Sequence, residues 1–249
     1  MLPLINIGDT TLPTFALSAA IGLMVFFLYI IAKVKNSQDI YYILPKVCLA
    51  LGVGYVGAIF FDALFKIPQN NAFKIEGMTF YGGLVSGGIA LIILLLVFKK
   101  NRKKSIMEWL DLLIVPFVIF HMFGRIGCFL GGCCYGDVTD SIFGVHFPDN
   151  PDANIYHYGQ KVIPTQLIEA VALLILAVSL MLIKKRKFII YCYAYPVCRF
   201  LIEFLRADNR GVGLWFMSPA QVISVLIIIA ITTYLILTYI KRKKESLQN

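Results

Sequence analysis

Residues 164–187 read PTQLIEAVALLILAVSLMLIKKRK, an apolar run that begins with polar side chains and ends in four basic ones. A helix that spans a bilayer needs about 20 consecutive apolar residues, and residues 164–183 provide that length. The basic end is typical of the cytoplasmic side of a membrane helix. This stretch therefore predicts one membrane-spanning helix together with its orientation.

The same pattern recurs along the whole chain. Of its 249 residues, 59% are hydrophobic and 15% are charged, and the mean hydropathy is +0.79. A water-soluble fold of this length cannot bury so much apolar surface. Six more apolar runs predict helices over residues 12–34, 41–65, 78–98, 106–130, 188–205 and 219–240. We therefore predict an all-α membrane protein with about seven transmembrane helices.

The net charge of +9 comes mainly from four short basic clusters between the apolar runs, at residues 33–35, 99–104, 184–187 and 241–244. This distribution indicates membrane topology and not a nucleic-acid partner. The positive-inside rule places all four clusters in the cytoplasm, with the N-terminus outside and the C-terminus inside.

Three outer loops follow from this topology, at about residues 66–77, 131–162 and 206–218. The middle loop is the longest and predicts a small extracytoplasmic region. The sequence contains no internal repeat and no low-complexity tract that would divide it. Residues 1–249 are therefore predicted to form a single polytopic membrane domain.

Charged side chains inside these helices are candidates for a functional site, because a charge in the bilayer costs a few kcal/mol at least. Arg125 lies near the outer end of the fourth helix, in the stretch HMFGRIGCFLGG. It either extends to the interface or faces an anion inside the bundle, since its guanidinium matches phosphate geometry. Arg199, Glu203 and Arg206 lie on one face of the sixth helix.

Arg199 and Glu203 are spaced for an i,i+4 ion pair, which by itself lowers the cost of burial. Two arginines for one glutamate leave that face positive, so beside Arg125 it would bind a phosphate diester. Residues 80–88 read FYGGLVSGG and form either a close-packing face or a place where substrate meets the backbone. Tyr81 belongs either to this site or to the interfacial aromatic belt.

Other polar residues near the outer ends of the helices have less specific roles. Gln166 and Glu169 open the fifth helix and either cap it or contact headgroups, and His121 is expected to be a packing residue. Cys128 and the adjacent pair at residues 133–134 form either one disulfide or none. No metal or cofactor is expected, because the chain lacks a Cys-x-x-Cys motif and a histidine at ligand spacing.

Five motifs taken together resemble one family, the prolipoprotein diacylglyceryl transferases. They occur in the family's order as FYGGLVSGG (80–88), GRIGCFLGGCCYG (124–136), PTQLIEA (164–170), RFLIEFLRAD (199–208) and SPAQVIS (218–224). Each motif alone is weak, whereas the ordered set covers over half of the chain and is specific.

The resemblance implies a seven-helix enzyme of the bacterial cytoplasmic membrane. Such an enzyme transfers a diacylglyceryl group from phosphatidylglycerol to the lipobox cysteine in the signal peptide of a prolipoprotein, which forms a thioether and releases glycerol 1-phosphate. Its partners are therefore phosphatidylglycerol, the prolipoprotein and membrane lipids. The resemblance assigns catalysis to Arg199, Glu203 and Tyr81. It assigns substrate binding to Arg125, Arg206, Gly82, Gly83 and Gln166.

The chain also departs from the family pattern, which makes it a divergent member. Cys128 and Cys133 occupy the usual Asn and Glu positions of the signature, and Tyr81 stands where many members have His. An arginine that many members carry in an early helix is missing, since the first arginine of this chain is Arg102. The alternatives are a paralogue that modifies another acceptor, a small membrane transporter and a membrane thiol oxidoreductase.

Overall fold

The computed structural model describes residues 4–7, 10–70, 75, 77–98, 104–146, 160–207 and 217–248. Within these ranges the chain forms seven α-helices that are long and apolar enough to cross a membrane. They are α1 (Thr14–Lys33), α2 (Ser37–Asn70), α3 (Phe80–Val97), α4 (Ile106–Leu130), α5 (Thr165–Leu182), α6 (Lys187–Ile202) and α7 (Pro219–Gln248). The predicted number of helices is confirmed.

Three helix ends differ from the sequence prediction. Helix α2 has 34 residues and continues through residues 66–70, which we had placed in the first outer loop. An ion pair of 2.9 Å between Asp62 and Lys66, one helical turn apart, stabilises this extension beyond the apolar run. The last turn of the sixth span is a 3₁₀-helix, Glu203–Leu205, and α7 continues past residue 240 into the basic C-terminal segment.

The outward face of the helices is apolar, as α5 illustrates. Val171, Ile175 and Val178 on this helix are exposed, whereas Gln166 and Glu169 are buried. A soluble protein shows the reverse arrangement. Contiguous exposed apolar side chains around polar groups that face inward are expected of a helix bundle in lipid. The structure therefore supports a multi-pass membrane protein.

Helix α4 lies at the centre of the arrangement and packs against α1, α5 and α6. Its Trp109 belongs to one buried cluster with Ile30 of α1 and Ile43 of α2. Its Val118 belongs to a second cluster with Leu173 of α5. Because α4 contributes to both clusters, its last turns are fixed between the neighbouring helices. Arg125 lies on those turns.

The basic segments between helices meet at one end of the bundle. Lys104 forms an ion pair with Asp39 at the start of α2. Asp111 of α4 accepts hydrogen bonds from the backbone N–H groups of Arg186 (2.7 Å) and Phe188 (2.9 Å). These contacts join the segment before α4 to the start of α2, and the segment before α6 to the start of α4.

Short strands precede α1 and lie between α4 and α5. Strand β1 (Leu4–Ile7) pairs with β2 (Thr10–Pro13), and β3 (Val145–His146) pairs with β4 (Lys161–Val162), both antiparallel. An isolated bridge also joins Gly136 to Arg206. Strands of two to four residues are too short for a period to be detected in the sequence, so they were not predicted. The bridge ties the segment after α4 to the end of the sixth span.

Helices α2 and α3 approach closely along a seam of glycines, which supplies a stability prediction. A Cβ atom added at Gly87 would lie 2.9 Å from the carbonyl oxygen of Ala50, whereas one added at Gly88 meets no atom within 4 Å. We expect Gly87→Ala to lower the free energy of unfolding by about 1–3 kcal/mol through overpacking. Gly88→Ala is the matched control and is expected to be neutral or slightly stabilising.

The midpoint of denaturant unfolding in detergent micelles measures both variants. Equal midpoints for Gly87→Ala and Gly88→Ala would show that the seam can open to admit a methyl group.

Candidate active site

A single carboxylate, that of Glu169 on α5, joins two arginines from neighbouring helices. Its Oε1 lies 3.0 Å from Nε of Arg125 on α4. Its Oε2 lies 3.1 Å from Nη1 of Arg199 on α6. Glu169 is 2% exposed, Arg125 is 6% and Arg199 is 5%. The predicted convergence of the two arginines is therefore present, and it is organised by an acidic residue between them.

The ion pairs continue from Arg199 towards α7. Nη2 of Arg199 lies 2.9 Å from Oε2 of Glu203, which confirms the predicted i,i+4 pair. The hydroxyl of Ser218 donates a hydrogen bond of 2.6 Å to Oε1 of Glu203. Arg125, Glu169, Arg199 and Glu203 together are called the buried ion network below. It connects three helices and the residue that precedes α7.

The formal charge of this network differs from the sequence expectation. Its two arginines and two glutamates sum to zero, because Glu169 adds a negative charge from another helix. A positive face was expected from the sixth helix alone. Arg206, at the end of the 3₁₀ turn, is half-buried and interacts electrostatically with Glu169. Arg206 is therefore a further cationic side chain close to the network.

Aromatic rings cover the arginine side of the site. The ring of Phe80 stacks on that of His121, with centroids 3.7 Å apart and an interplanar angle of 11°. The guanidinium carbon of Arg125 lies 5.7 Å from the centroid of Phe80, within the range of a cation–π contact. His121 is buried, and its Nε2 lies 3.8 Å from Oε1 of Glu169. Neither of its ring nitrogens has a hydrogen-bond partner among the described residues.

Tyr81 lies inside the bundle and not in an interfacial belt, since it is 3% exposed. Its hydroxyl is 2.7 Å from the hydroxyl of Ser224 on α7. Ser224 donates its own proton to the carbonyl oxygen of Ala220, so Tyr81 is the donor in the first bond. Tyr81 also interacts electrostatically with Arg199. It therefore lies near the ion network, with its proton engaged.

The predicted glycines and Gln166 occupy different surroundings. Gly82 and Gly83 lie on the face of α3 that packs against α2, so helix packing accounts for them, and substrate binding there stays a prediction. Gln166 is buried and donates from Nε2 to the carbonyl oxygen of Cys133 at 2.6 Å. Its Oε1 has no hydrogen-bond partner in the described part of the chain. That oxygen is available to a donor group on a ligand.

Three thiols converge beside this site. The sulfur atoms of Cys128, Cys133 and Cys134 all lie within 4.8 Å of one another, and none is in a disulfide. We call these residues the cysteine cluster. Hydrogen bonds from Cys128 and Cys133 lower the pKa of the Cys134 thiol, against the opposing effect of burial.

Sequence reasoning did not assign Glu169 to the site. Its motif, PTQLIEA, was recognised, but both capping and headgroup contact were left open for it. Glu169 follows Gln166 by three residues and Thr165 by four, so the three share one helical face. All three are buried. This polar face on an otherwise apolar helix was the sequence feature from which burial of Glu169 could have been predicted.

The geometry is suited to binding an anion. The arginines are held in place by carboxylates before any ligand arrives, and they are removed from bulk water. Charged groups fixed in a water-poor site stabilise developing negative charge more strongly than the same groups in water. Arginine also keeps its charge on burial and presents donors in a fork that fits phosphate oxygens.

Comparison with known proteins finds a matching family model and related sequences. Residues 3–237 match the family model of prolipoprotein diacylglyceryl transferase. The chain is 31% identical over 210 residues to the phosphatidylglycerol–prolipoprotein diacylglyceryl transferase of Clostridium tetani, across 81% of this chain and 70% of that protein. It is 28% identical to the enzyme of the same name from Dehalococcoides mccartyi, across 98% of this chain and 95% of that one. The matched region contains the whole buried ion network.

Proposed function

Because the chain belongs to the prolipoprotein diacylglyceryl transferase family, we propose that it transfers a diacylglyceryl group from phosphatidylglycerol to the lipobox cysteine of prolipoproteins. The relatives carry both substrates in their names. In the reaction, the cysteine sulfur bonds to the glyceryl carbon that carries the phosphate ester, and the carbon–oxygen bond there breaks. The leaving group is glycerol 1-phosphate, and the thiol loses a proton that a phosphate monoester can accept.

The arginines bind and stabilise the phosphate in this proposal. Arg125 and Arg199 contact the same carboxylate from two helices, so a phosphate that binds beside Glu169 meets guanidinium groups already held in place. Arg206 lies beside the network and interacts electrostatically with Glu169. As the carbon–oxygen bond breaks, charge grows on the leaving phosphate, and these side chains stabilise it.

The remaining site residues have positioning and proton-transfer roles. Glu203 holds Arg199 from the side opposite Glu169, and we assign it to the catalytic set for that reason. Tyr81 donates to Ser224, so it exchanges a proton with substrate only by changing this partner. Gln166 offers its unpaired Oε1 to a donor on the glycerol headgroup. Gly82 and Gly83 are assigned to substrate binding by the family motif alone.

The protein is assigned to the bacterial cytoplasmic membrane, with its N-terminus outside and its C-terminus in the cytoplasm. Segments with basic clusters meet at one end of the bundle, at Lys104 and Arg186, and this is the end that the positive-inside rule places in the cytoplasm. The cysteine cluster and Arg206 follow the opposite ends of their helices. The site therefore faces the outer leaflet, where the lipobox cysteine of an exported prolipoprotein is presented.

The observation that carries the proposal is the pair of buried arginines held by Glu169 within a chain that matches the family over residues 3–237. Purified protein incubated with phosphatidylglycerol vesicles and a lipobox peptide is expected to increase the mass of the peptide by one diacylglyceryl group. Mass spectrometry of the peptide locates the added group on its cysteine.

Two controls make this experiment specific. A peptide with serine in place of the lipobox cysteine, and vesicles of phosphatidylcholine alone, are both expected to give no product. Modification of a different residue would indicate another acceptor. An unchanged cysteine peptide after incubation with folded protein would contradict the proposed reaction.

A further inference from the structure

We propose that Cys128, Cys133 and Cys134 bind one thiophilic metal ion of the zinc class. The transferase reaction uses none of these thiols, so this inference goes beyond the proposed function and does not depend on it. The sequence alone predicted no metal here, because the spacing is Cys-x₄-Cys-Cys. The folded chain changes that inference by bringing all three sulfurs to one place.

The separations between the sulfurs fit a shared metal ion. A zinc–thiolate bond is about 2.3 Å, which places sulfur ligands about 3.8 Å apart around a tetrahedral ion. The three sulfurs lie within 4.8 Å of one another, so small side-chain adjustments suffice. A disulfide, with a sulfur–sulfur bond of about 2.05 Å, uses two cysteines and leaves the third as a free thiol. A metal ion is the arrangement that engages all three.

The backbone holds the ligands in position before a metal binds. Cys128 lies on the last turns of α4, and the N–H of Cys133 donates to its carbonyl oxygen at 3.1 Å. The carbonyl oxygens of Cys133 and Cys134 accept bonds of 2.6 Å from Gln166 and Thr165 at the start of α5. Hydrogen bonds to the residues that supply ligands orient such sites. Here these bonds fix the turn that carries two of the three thiols.

The surrounding charge favours a metal–thiolate complex. Three thiolates around a divalent cation carry one net negative charge. Arg125 and Arg206 both interact electrostatically with Cys134, so positively charged side chains lie close enough to stabilise the thiolates. The described residues offer three ligands at this place, which leaves the fourth position of a tetrahedral ion for water or another soft donor. A bound ion would cross-link the end of α4 to the turn at residues 133–134, which is hydrogen-bonded to the start of α5.

The test measures metal in the full-length protein, without reference to transferase activity. Protein purified in detergent with a phosphine reductant is equilibrated with zinc, desalted and analysed by inductively coupled plasma mass spectrometry. About one zinc per chain is expected. Replacing zinc with Co²⁺ is expected to give a thiolate-to-cobalt charge-transfer absorption band. The variant with Cys128→Ser, Cys133→Ser and Cys134→Ser is expected to lose both signals.

Cys48→Ser is the matched control, since Cys48 is an exposed thiol on α2; it is expected to keep both signals. If the triple variant fails to fold, Cys134→Ser alone is expected to weaken zinc binding by about 100-fold or more. Zinc well below one per chain in the wild-type protein would overturn the proposal, as would a cobalt band that survives the triple substitution. In protein isolated without added metal, free thiols are alkylated during isolation. Two cysteines of the cluster that are protected from alkylation by a disulfide would also overturn the proposal.

Discussion

Glu169→Ala is expected to abolish diacylglyceryl transfer and to destabilise the protein by about 3–5 kcal/mol. The carboxylate lies 3.0 Å from Arg125 and 3.1 Å from Arg199, so its removal leaves two buried guanidinium groups with one remaining carboxylate, that of Glu203. Unpaired buried charge is among the few causes of losses this large. Denaturant unfolding in micelles measures the stability, and the peptide assay measures the transfer.

Glu169→Gln tests the role of the negative charge at this position, because it removes the charge and keeps the shape of the side chain. The amide keeps the volume of the side chain and one acceptor oxygen, but it cannot neutralise the arginines. We expect a folded protein whose transfer rate is reduced by at least about 100-fold, because the arginines are no longer held in position. Asp140→Ala removes an exposed carboxylate from the segment between α4 and α5 and is expected to leave both measurements unchanged. Wild-type activity in Glu169→Gln would show that the ion network only stabilises the fold.

Arg125→Ala is expected to reduce transfer by about 10²–10³-fold or more while membrane insertion persists. This range is the usual cost of removing one group that stabilises transition-state charge in a water-poor site. Arg125→Lys should recover only part of the activity, since an ammonium group keeps the charge but lacks the planar fork. The rate of peptide modification at several phosphatidylglycerol concentrations distinguishes weaker lipid binding from a slower chemical step.

Arg199→Ala tests the same prediction from the second helix, and a loss of similar size is expected. The matched control is Arg186→Ala, at the exposed basic end of the bundle, which should retain full activity. Full activity in Arg125→Ala or Arg199→Ala would remove the phosphate-binding role of the arginines. Activity lost equally in Arg186→Ala would point to general damage in membrane insertion.

Local features of the sequence were sufficient to predict the helices and part of the site. Apolar runs of spanning length identify each helix because lipid contact demands continuous apolar sequence. The i,i+4 pair between Arg199 and Glu203 was also predictable, since both residues share one helix and its period fixes their distance. Charges inside apolar runs drew attention to Arg125 for an equally local reason.

Contacts between helices were not predictable in the same way. Glu169 meets Arg125 and Arg199 across separations of 44 and 30 residues, and no local period encodes the relative rotation of α4, α5 and α6. The convergence of Cys128 with the pair at residues 133–134 depends on the tight turn after α4, in which Gly132 and Cys134 adopt positive φ angles. Such turn conformations are set by tertiary hydrogen bonds as much as by residue type.

The zero net charge of the buried ion network has a consequence for how the protein holds its lipid substrate. A phosphodiester brings one negative charge to a site whose own ion pairs cancel, so its binding depends on close contacts with the arginines and not on long-range attraction from solution. Salt at moderate concentration should therefore have little influence on how tightly the lipid is retained, although it screens exposed charges strongly.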